Sequence, residues 1–289
     1  MTDQAATLRK LGDERRLEAT PATRVIAVTS GKGGVGKTSV VSNLSLVFAQ
    51  LGRKVLTIDG DLGLANLDIA LGVQTRGNVL EVLEGTRQIR DVLCYANDSV
   101  ALLPACSGRY DLANLSDAER YGLFSAIDSL EDDFDLALID TAAGIGSNAV
   151  AFAAAAQSVV VVATPDPTSL ADAYATVKVL NQRHGLKRVR LIANMVRNPV
   201  EAEEVHKRLS SLVDHFLNVG VDYLGYVPRD SAVNKSLRSC RPVVLEHPDS
   251  AASEAFREIG RRLLEDGVDE ANGGIQLFWK KVLGWRDAQ

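Results

Sequence analysis

The chain has 289 residues, of which 46% are hydrophobic and 24% are charged, and its formal net charge is −5. This composition predicts a globular protein with a substantial core and argues against a surface that is basic overall. The three cysteines (Cys94, Cys106 and Cys240) include no C-x-x-C pair, so they provide no zinc or disulfide framework and fit a reducing cytosol.

The predicted elements alternate along residues 23–267, after a polar leader at residues 1–22. Aliphatic runs predict buried strands at 24–30, 54–59, 100–105, 136–141, 158–165, 189–195 and 221–228. Amphipathic segments predict helices at 37–51, 116–131, 169–184, 200–217 and 250–266. The longest apolar run, "AVAFAAAAQSVVVVA", reads as a helix followed by a strand and predicts no membrane span.

This alternation predicts an α/β fold, a doubly wound and mostly parallel sheet with helices on both faces. One domain would cover residues 23–267, and residues 268–289 would form a linker and a terminal helix. Ligands of such sheets bind at the carboxyl ends of the strands, so the residues that follow the predicted strands are the candidates for a site.

The stretch "SGKGGVGKTS", residues 30 to 39, joins the first predicted strand to the first predicted helix. It fits both the G-x-G-x-x-G pattern of dinucleotide sites and the G-x-x-x-x-G-K-T pattern of triphosphate sites. Lys37 and Thr38 favour the nucleoside triphosphate pattern. In such a site the lysine bridges the β- and γ-phosphate oxygens and the threonine hydroxyl binds Mg²⁺. The predicted nucleotide-binding residues are Gly31, Lys32, Gly33, Gly34, Val35, Gly36, Lys37, Thr38 and Ser39.

Three aspartates follow predicted strands. Asp59 and Asp61 lie in "DGDLGLANLD", and Asp140 is followed by the small-residue loop "AAGIG", which is free to change shape. At strand ends this spacing places carboxylates near the phosphates and Mg²⁺. The alternative is that these aspartates cap helices or turns.

Lys32 is a second lysine within the glycine loop, and a solvated charge is its simplest interpretation. However, "KGGVGKT" resembles the deviant Walker A loop of the MinD/ParA ATPases, a resemblance supported by "DGDLGLANLD", "IDTAAGIG" and "YVPRDSAV" across nearly the whole central domain. The resemblance implies a Mg²⁺-dependent ATPase that cycles between ATP and ADP and forms a sandwich homodimer with ATP. Lys32 would reach the partner subunit's nucleotide and stabilise transition-state charge there, as an arginine finger does.

The same resemblance assigns further roles to residues. Asp61 would orient the attacking water, so Lys32, Lys37 and Asp61 form the implied catalytic set. Thr38 would be a direct Mg²⁺ ligand, with Asp59 and Asp140 acting through water. Other matches to the family are the adenine-contacting positions Asn194, Pro228 and Asp230.

Two features depart from relatives within that family. Ala142 stands in "DTAAGIG" where relatives commonly carry Gly or Pro, which bears on how this loop switches. Cys94 and Cys106 do not match the motifs of the iron–sulfur relatives, which argues against the reductase and cluster-scaffold branches.

The tail "GIQLFWKKVLGWRD" predicts a helix with one apolar stripe and lysines away from its centre. Such a helix after a flexible linker suits an anionic membrane surface, and two copies in a dimer would bind much better than one. The predicted membrane-binding residues are Ile275, Phe278, Trp279, Lys280, Lys281, Val282, Leu283 and Trp285. The alternative is a terminal helix that packs on the core, and both can hold in different nucleotide states.

The leader begins with a short motif. Asp3, Gln4, Leu8 and Arg9 match the D-Q-A-x-x-L-R of the FlhG (FleN) regulators of flagellar number, which are MinD-like ATPases. The resemblance implies that these residues bind and activate the signal-recognition-type GTPase FlhF, which places flagella. A leader without defined structure is the alternative.

Together these patterns predict a cytoplasmic ATPase switch that attaches to the inner face of the cell membrane with ATP. Flagellar switch proteins or a flagellar transcription regulator are further candidate partners. Three alternative functions remain. The protein could be a MinD-type cell-division regulator, a ParA-like DNA-segregation ATPase, or a binding module in which the nucleotide has only a structural role. DNA binding would need a basic surface, so nucleic acid is not an expected partner.

Overall fold

The computed structural model describes residues 23–61, 65–105, 129–265 and, beyond these, only 122, 126–127, 278 and 281–282. Most of the predicted helix at 116–131 lies outside the described residues. So do several predicted site residues, namely Asp3, Gln4, Leu8, Arg9, Ile275, Trp279, Lys280, Leu283 and Trp285.

One sheet runs through the described residues. Its strands are β1 (Arg24–Thr29), β2 (Val55–Gly60), β3 (Cys94–Asn97), β4 (Val100–Leu103), β5 (Leu136–Thr141), β6 (Ser158–Ala163), β7 (Arg188–Val196) and β8 (Gly220–Pro228). Their order is β3-β4-β2-β5-β1-β6-β7-β8, and every neighbouring pair is parallel except β3 and β4. The mostly parallel sheet and all seven predicted strands are therefore confirmed.

The helices are α1 (Lys37–Gln50), α2 (Leu67–Leu71), α3 (Val79–Leu83), α4 (Ile89–Val92), α5 (Ser147–Ala155), α6 (Pro167–His184), α7 (Pro199–Phe216), α8 (Ser231–Arg238), α9 (Val243–Glu246) and α10 (Ala251–Glu265), with a 3₁₀ turn at Glu131–Asp133. The four long helices predicted within the described part, α1, α6, α7 and α10, are confirmed. None of the helices in the described ranges is both long and apolar enough to span a membrane.

The helices cover both faces of the sheet. Along β1, Val25 and Ala27 belong to one buried cluster, whereas Ile26 and Val28 belong to another. Because successive side chains of a strand point to opposite faces, the two clusters are the two sides of the sheet. Residues of α5, α6 and α7 lie in the first cluster, and residues of α1 and α10 lie in the second.

The strand order brings the predicted acids together. In the sheet register Asp140 of β5 is paired with Asp59 of β2 on one side and with Val28 of β1 on the other. All three strands are parallel, so their carboxyl ends meet at one edge, directly beside the loop that leaves β1.

Candidate nucleotide-binding site

The loop between β1 and α1 depends on glycine at two points of close approach. Gly36 precedes α1 with φ of 90°, and a Cβ there would lie 2.4 Å from the Nδ2 atom of Asn194. A Cβ at Gly31 would lie 2.0 Å from the backbone carbonyl carbon of Asp172 in α6. Neither position can accept a side chain, so the backbone itself forms a cradle at the N-terminus of α1, the arrangement that binds phosphate.

Asn194, near the end of β7, holds this loop in place. Its Nδ2 donates to the carbonyl of Val35 (2.7 Å), and its Oδ1 accepts from the backbone N–H of Met195 (2.9 Å). The side chain is buried, with 6% of the residue exposed. The structure thus gives Asn194 a positioning role in the loop, and its contact with adenine stays a prediction.

The other two residues predicted to contact adenine lie beside this region. Pro228 ends β8 opposite Val196 of β7, and Asp230 caps α8 by accepting from the N–H of Ala232 (2.8 Å). The second carboxylate oxygen of Asp230 accepts from Ala252 (3.1 Å). Contact of Pro228 and Asp230 with a base stays a prediction.

Asp140 is the most deeply buried carboxylate of the site, with 2% of the residue exposed. Burial raises its pKa to about 7, the Thr38 hydroxyl and the Lys37 ammonium oppose that rise, and the neighbouring Asp59 and Asp61 add to it. Its Oδ1 atom has no hydrogen-bond partner within the described residues. A buried carboxylate oxygen without a partner, next to a lysine and a threonine, is what a hydrated Mg²⁺ ion would satisfy.

Asp59 organises the segment that follows β2. Its carboxylate accepts from the backbone N–H groups of Asp61, Asn66 and Leu67, each at 3.1 Å. Burial raises its pKa to about 6, partly offset by these hydrogen bonds, while the charge of Asp61 raises it further. Asp59 therefore does cap this turn, as the structural alternative proposed, and its part in holding Mg²⁺ stays a prediction.

Thr38 connects α1 to the same segment. Its hydroxyl donates to the Oδ1 atom of Asn66 at 3.3 Å, close to the limit for a hydrogen bond. A long contact of this kind can be exchanged for a metal ligand at little cost. The position of Thr38 between Asn66 and Asp140 fits a direct Mg²⁺ ligand.

The ammonium group of Lys32 is bound to residues at the start of α6. Its ammonium donates to the Oδ2 atom of Asp166 (2.7 Å) and to the Thr168 hydroxyl (2.6 Å) at the start of α6. The hydrogen bond from Lys32, together with those from Thr168, lowers the pKa of Asp166 to about 2. The side chains of Lys32 and Asp166 are 31% and 48% exposed, so the lysine lies on an open surface where a second molecule could reach it.

The tail contacts the core near this edge of the sheet. Phe278 is 2% exposed and stacks on Phe152 of α5, with ring centroids 6.1 Å apart and planes at 15°. Val282 is also buried in the same cluster, whereas Lys281 is exposed. A Cβ at Gly60, between Asp59 and Asp61, would lie 3.2 Å from the Phe152 ring. The chain of contacts thus runs from the tail through Phe152 to the acidic segment.

The comparisons with known proteins agree with this geometry. A family model described as an AAA domain matches residues 23–189, and one described as NUBPL iron-transfer P-loop NTPase matches residues 127–264. The antiactivator FleN of Pseudomonas aeruginosa is 43% identical over 83% of this chain and 86% of its own length. The flagellum site-determining protein YlxH of Helicobacter pylori is 34% identical over 90% of each chain.

The chain belongs to the MinD/ParA family of P-loop ATPases, in its FlhG (FleN) branch. Solved structures of MinD share the fold of this FlhG-branch ATPase. The Pyrococcus horikoshii MinD complexed with Mg-ADP has a TM-score of 0.65 and 29% identity, covering 83% of this chain and 96% of that one. The MinC:MinD complex of Aquifex aeolicus has a TM-score of 0.66 and 29% identity over 85% and 98%.

Four residues of this FlhG-branch ATPase take part in the site although sequence reasoning did not identify them, namely Asn66, Phe152, Asp166 and Thr168. Asn66 lies inside the motif "DGDLGLANLD", so the sequence could have indicated that it lies near the site. Asp166 precedes Pro167 at the start of a helix, which indicates a helix cap but not a partner for a distant lysine. Nothing in the alanine-rich sequence of α5 indicates that the ring of Phe152 receives the tail.

Proposed function

We propose that this protein is an ATP-driven switch that dimerises with ATP and Mg²⁺, attaches to the membrane through its C-terminal helix, and regulates flagellar number and placement through the GTPase FlhF. The observation that carries the proposal is the contact of Phe278 with Phe152, which in turn packs against the segment bearing Asp59 and Asp61. A change in that segment on nucleotide binding has a direct path to the tail.

The residues of the phosphate cradle supply the chemistry. The backbone at the start of α1 binds the phosphates, and Lys37 neutralises charge on them from a nearly buried position. Thr38, Asp59 and Asp140 would hold the Mg²⁺ ion, which would balance phosphate charge when bound. Asp61 positions the water that attacks the γ-phosphate.

Dimerisation completes the site through Lys32. In the single chain its ammonium rests on Asp166, so it contributes nothing to its own phosphate cradle. In the ATP dimer Lys32 leaves Asp166 and contacts the nucleotide of the partner subunit. Hydrolysis then requires two chains, which links the lifetime of the dimer to the chemical step.

Membrane attachment follows from release of the tail. Phe278 and Val282 cannot insert into a bilayer while they are buried in the protein core. Movement of the segment around Gly60 would disturb Phe152 and free the helix. Two released helices on one dimer bind far more tightly than one, because the second binds at high effective concentration.

The relatives support the flagellar role. FleN is an antiactivator and YlxH is a flagellum site-determining protein, and both match over more than four-fifths of this chain. We assign stimulation of FlhF to Asp3, Gln4, Leu8 and Arg9 in the leader. Flagellar switch proteins and a flagellar transcription regulator are further proposed partners, and the protein would divide its time between cytoplasm and membrane.

The test combines lipid binding with FlhF activation. The full chain is sedimented with anionic liposomes in Mg²⁺ with ADP or with a non-hydrolysable ATP analogue, beside a chain that lacks residues 275–289. We expect pelleting only with the ATP analogue and only for the full chain. Pelleting that is equal with ADP, or that survives the deletion, would contradict the proposed switch.

The FlhF arm separates this function from the MinD-type alternative. We expect the wild-type chain to stimulate GTP hydrolysis by FlhF and the Gln4→Ala and Arg9→Ala variants to lose that stimulation while retaining ATP-dependent pelleting. Liposome binding without any stimulation of FlhF would favour a cell-division regulator. Binding of the ATP state to DNA but not to lipid would favour the ParA-like alternative.

A further inference from the structure

A small cavity of about 210 Å³ opens between α1, α2 and α8, on the sheet face opposite Phe278. Val233 and Leu237 of α8 line one wall, Ile69 of α2 lines another, and Pro242 lies between α8 and α9. We call this cavity and its rim the α8 pocket. Its rim exposes two large apolar side chains, since Ile69 is 56% exposed and Leu237 is 54% exposed.

The size of the α8 pocket limits what it can hold. Sites for nucleotides and other drug-sized ligands span about 300–1,000 Å³. A cavity of about 210 Å³ is too small for such a ligand but accommodates one bulky side chain. Anchor side chains that fill single pockets supply much of the binding energy of protein–protein interfaces.

The chain around α8 is more basic than the molecule as a whole, although Arg229 is bound to the Met195 carbonyl and Glu246 lies near Arg241. Residues 229–241 contain four basic residues and one acidic residue, so the segment has a net charge of +3 in a chain with net charge −5. The acidic residue, Asp230, uses both carboxylate oxygens on backbone N–H groups. Lys235 and Arg238 are exposed and form no ion pair with any carboxylate in the described part of the chain.

The α8 pocket also adjoins the nucleotide site. Thr38 and Asn66, which hydrogen bond to each other, form part of its wall. A side chain seated in the pocket would therefore contact the segment whose backbone is held by Asp59. Binding in the pocket would then be coupled to binding of the nucleotide, and such coupling acts in both directions.

We propose that the α8 pocket docks an acidic protein segment that inserts one bulky apolar side chain between Ile69 and Leu237 while its carboxylates pair with Lys235, Arg238 and Arg241. A concave, side-chain-sized cavity favours a protein over a bilayer, because membrane contact uses protruding apolar groups. The docking site lies on the sheet face opposite Phe278, so it is separate from the packing of Phe278 and Val282 on the core.

The test uses an array of fluorescein-labelled 14-residue peptides, each with one Leu, Ile, Met or Phe among glutamates, and a matched array with lysines in place of the glutamates. The full chain is titrated with each peptide in Mg²⁺ and ADP. We expect saturable binding of at least one acidic peptide, at least tenfold tighter than its lysine counterpart and weakened by salt.

Two double charge reversals and one single substitution test where the peptide binds. K235E/R238E should weaken binding of the acidic peptide at least tenfold, and the single substitution L237S should weaken it similarly. K207E/R208E, a reversal of equal size on α7, should change it less than twofold. Unchanged melting temperature and ADP affinity in each variant establish that the fold and the nucleotide site are intact.

Cys240, an exposed residue of the pocket wall, provides a second readout. Bound acidic peptide should slow its alkylation, followed by mass spectrometry of the peptide that contains Cys240. The proposal is overturned if no acidic peptide binds, if acidic and basic peptides bind equally, or if K235E/R238E leaves binding of the acidic peptide unchanged. None of these results depends on membrane switching or FlhF stimulation, so the outcome is independent of the proposed function.

Discussion

At the scale of single residues, Lys32 is held by Asp166 in a pair that is easily broken. Both side chains are substantially exposed, and exposed ion pairs contribute little net stability because water screens them. Because the pKa of Asp166 is lowered to about 2, its carboxylate stays ionised throughout the physiological range, and protonation of Asp166 does not release the lysine. Release must instead come from a competing anion, such as the partner's nucleotide.

Replacing Asp166 with Asn should favour the ATP dimer. Asn keeps the oxygen that accepts from the Thr168 N–H and so preserves the start of α6, but it removes the charge that retains Lys32. We expect the concentration for half-dimerisation with an ATP analogue to fall by about two- to fivefold, as loss of an exposed ion pair implies. Analytical ultracentrifugation measures this shift.

Asp222→Asn is the matched control, because it removes the exposed ion pair that Asp222 of β8 forms with Arg188 of β7. It should leave the dimerisation midpoint unchanged. A midpoint that is the same in Asp166→Asn as in the wild type would mean that the pair does not restrain dimerisation.

The buried carboxylates make the metal-free protein sensitive to pH. Burial raises the pKa of Asp140 to about 7 in the folded state, against 3.8 for a carboxyl group exposed to water. Between these values the folded state binds more protons than the unfolded state, so the free energy of unfolding should fall as pH rises from about 4 to about 7. Urea unfolding in EDTA at several pH values measures this decline.

In Asp140→Asn the decline should be clearly smaller, with Asp59 accounting for what remains because its pKa is raised to about 6. Adding Mg²⁺ and ADP should restore stability to the wild type at high pH, since a cation favours the charged carboxylates. Equal pH dependence in the two proteins would show that Asp140 is not the titrating group.

At the scale of elements, the long strands and helices were predictable because their signals are repeated over many residues. The starts of α6 and α7 show the limit: the predicted helices begin at 169 and 200, whereas Pro167 and Pro199 already occupy the first turn. Strand β3 was not predicted, since it has four residues and only Cys94 is buried. Helices of four or five residues, such as α2 and α9, are too short to show a period.

The candidate site likewise contains residues that the sequence predicts and residues that it does not. The cradle and its acids were predictable because each phosphate-binding group lies in one contiguous motif next to a strand. The contacts Lys32–Asp166 and Phe152–Phe278 join residues more than a hundred positions apart. Such pairs depend on strand order, which local sequence patterns do not encode.

Helix α5 should control release of the tail. Phe152→Leu keeps much of the buried volume but removes the stacking with Phe278, which is worth about 0.5–1.5 kcal/mol. We expect liposome binding in ADP to increase about two- to tenfold, as that loss implies. Co-sedimentation with anionic vesicles measures the change.

Phe256→Leu provides the control at this scale. Phe256 is equally buried, but it belongs to α10 and to the cluster on the opposite face of the sheet. It should reduce stability without increasing lipid binding in ADP. An equal increase in both variants would point to general loosening of the core instead of release of the tail.

At the scale of the whole molecule, mixing two inactive variants tests whether Lys32 acts across the dimer. Lys32→Ala lacks the lysine and Asp61→Ala lacks the water-orienting acid, so each homodimer should be inactive. In a mixed dimer, the nucleotide bound by the Lys32→Ala chain receives Asp61 from its own chain and Lys32 from its partner. Steady-state ATP hydrolysis should therefore reappear on mixing, up to about a quarter of the wild-type rate if the chains pair at random.

The mixed sample should lose this activity when either variant is diluted out by an excess of the other. If Lys32 instead served its own nucleotide, every site in the mixture would lack one of the two groups and no activity would return. Phosphate release measured against the mixing ratio distinguishes the two arrangements.

The order of strands in the sheet also determines when the site can exist during synthesis. The strands that meet at the phosphate cradle are distant in the chain, as the hydrogen bond from the Thr141 hydroxyl to the Val28 carbonyl shows across 113 residues. A ribosome that has released only the glycine loop and α1 has therefore produced no binding site. Because non-local parallel pairing forms slowly, nascent chains pass through a long interval in which apolar strands such as β1 are uncovered. Chaperone capture of truncated nascent chains should thus end only once β5 and β6 have emerged.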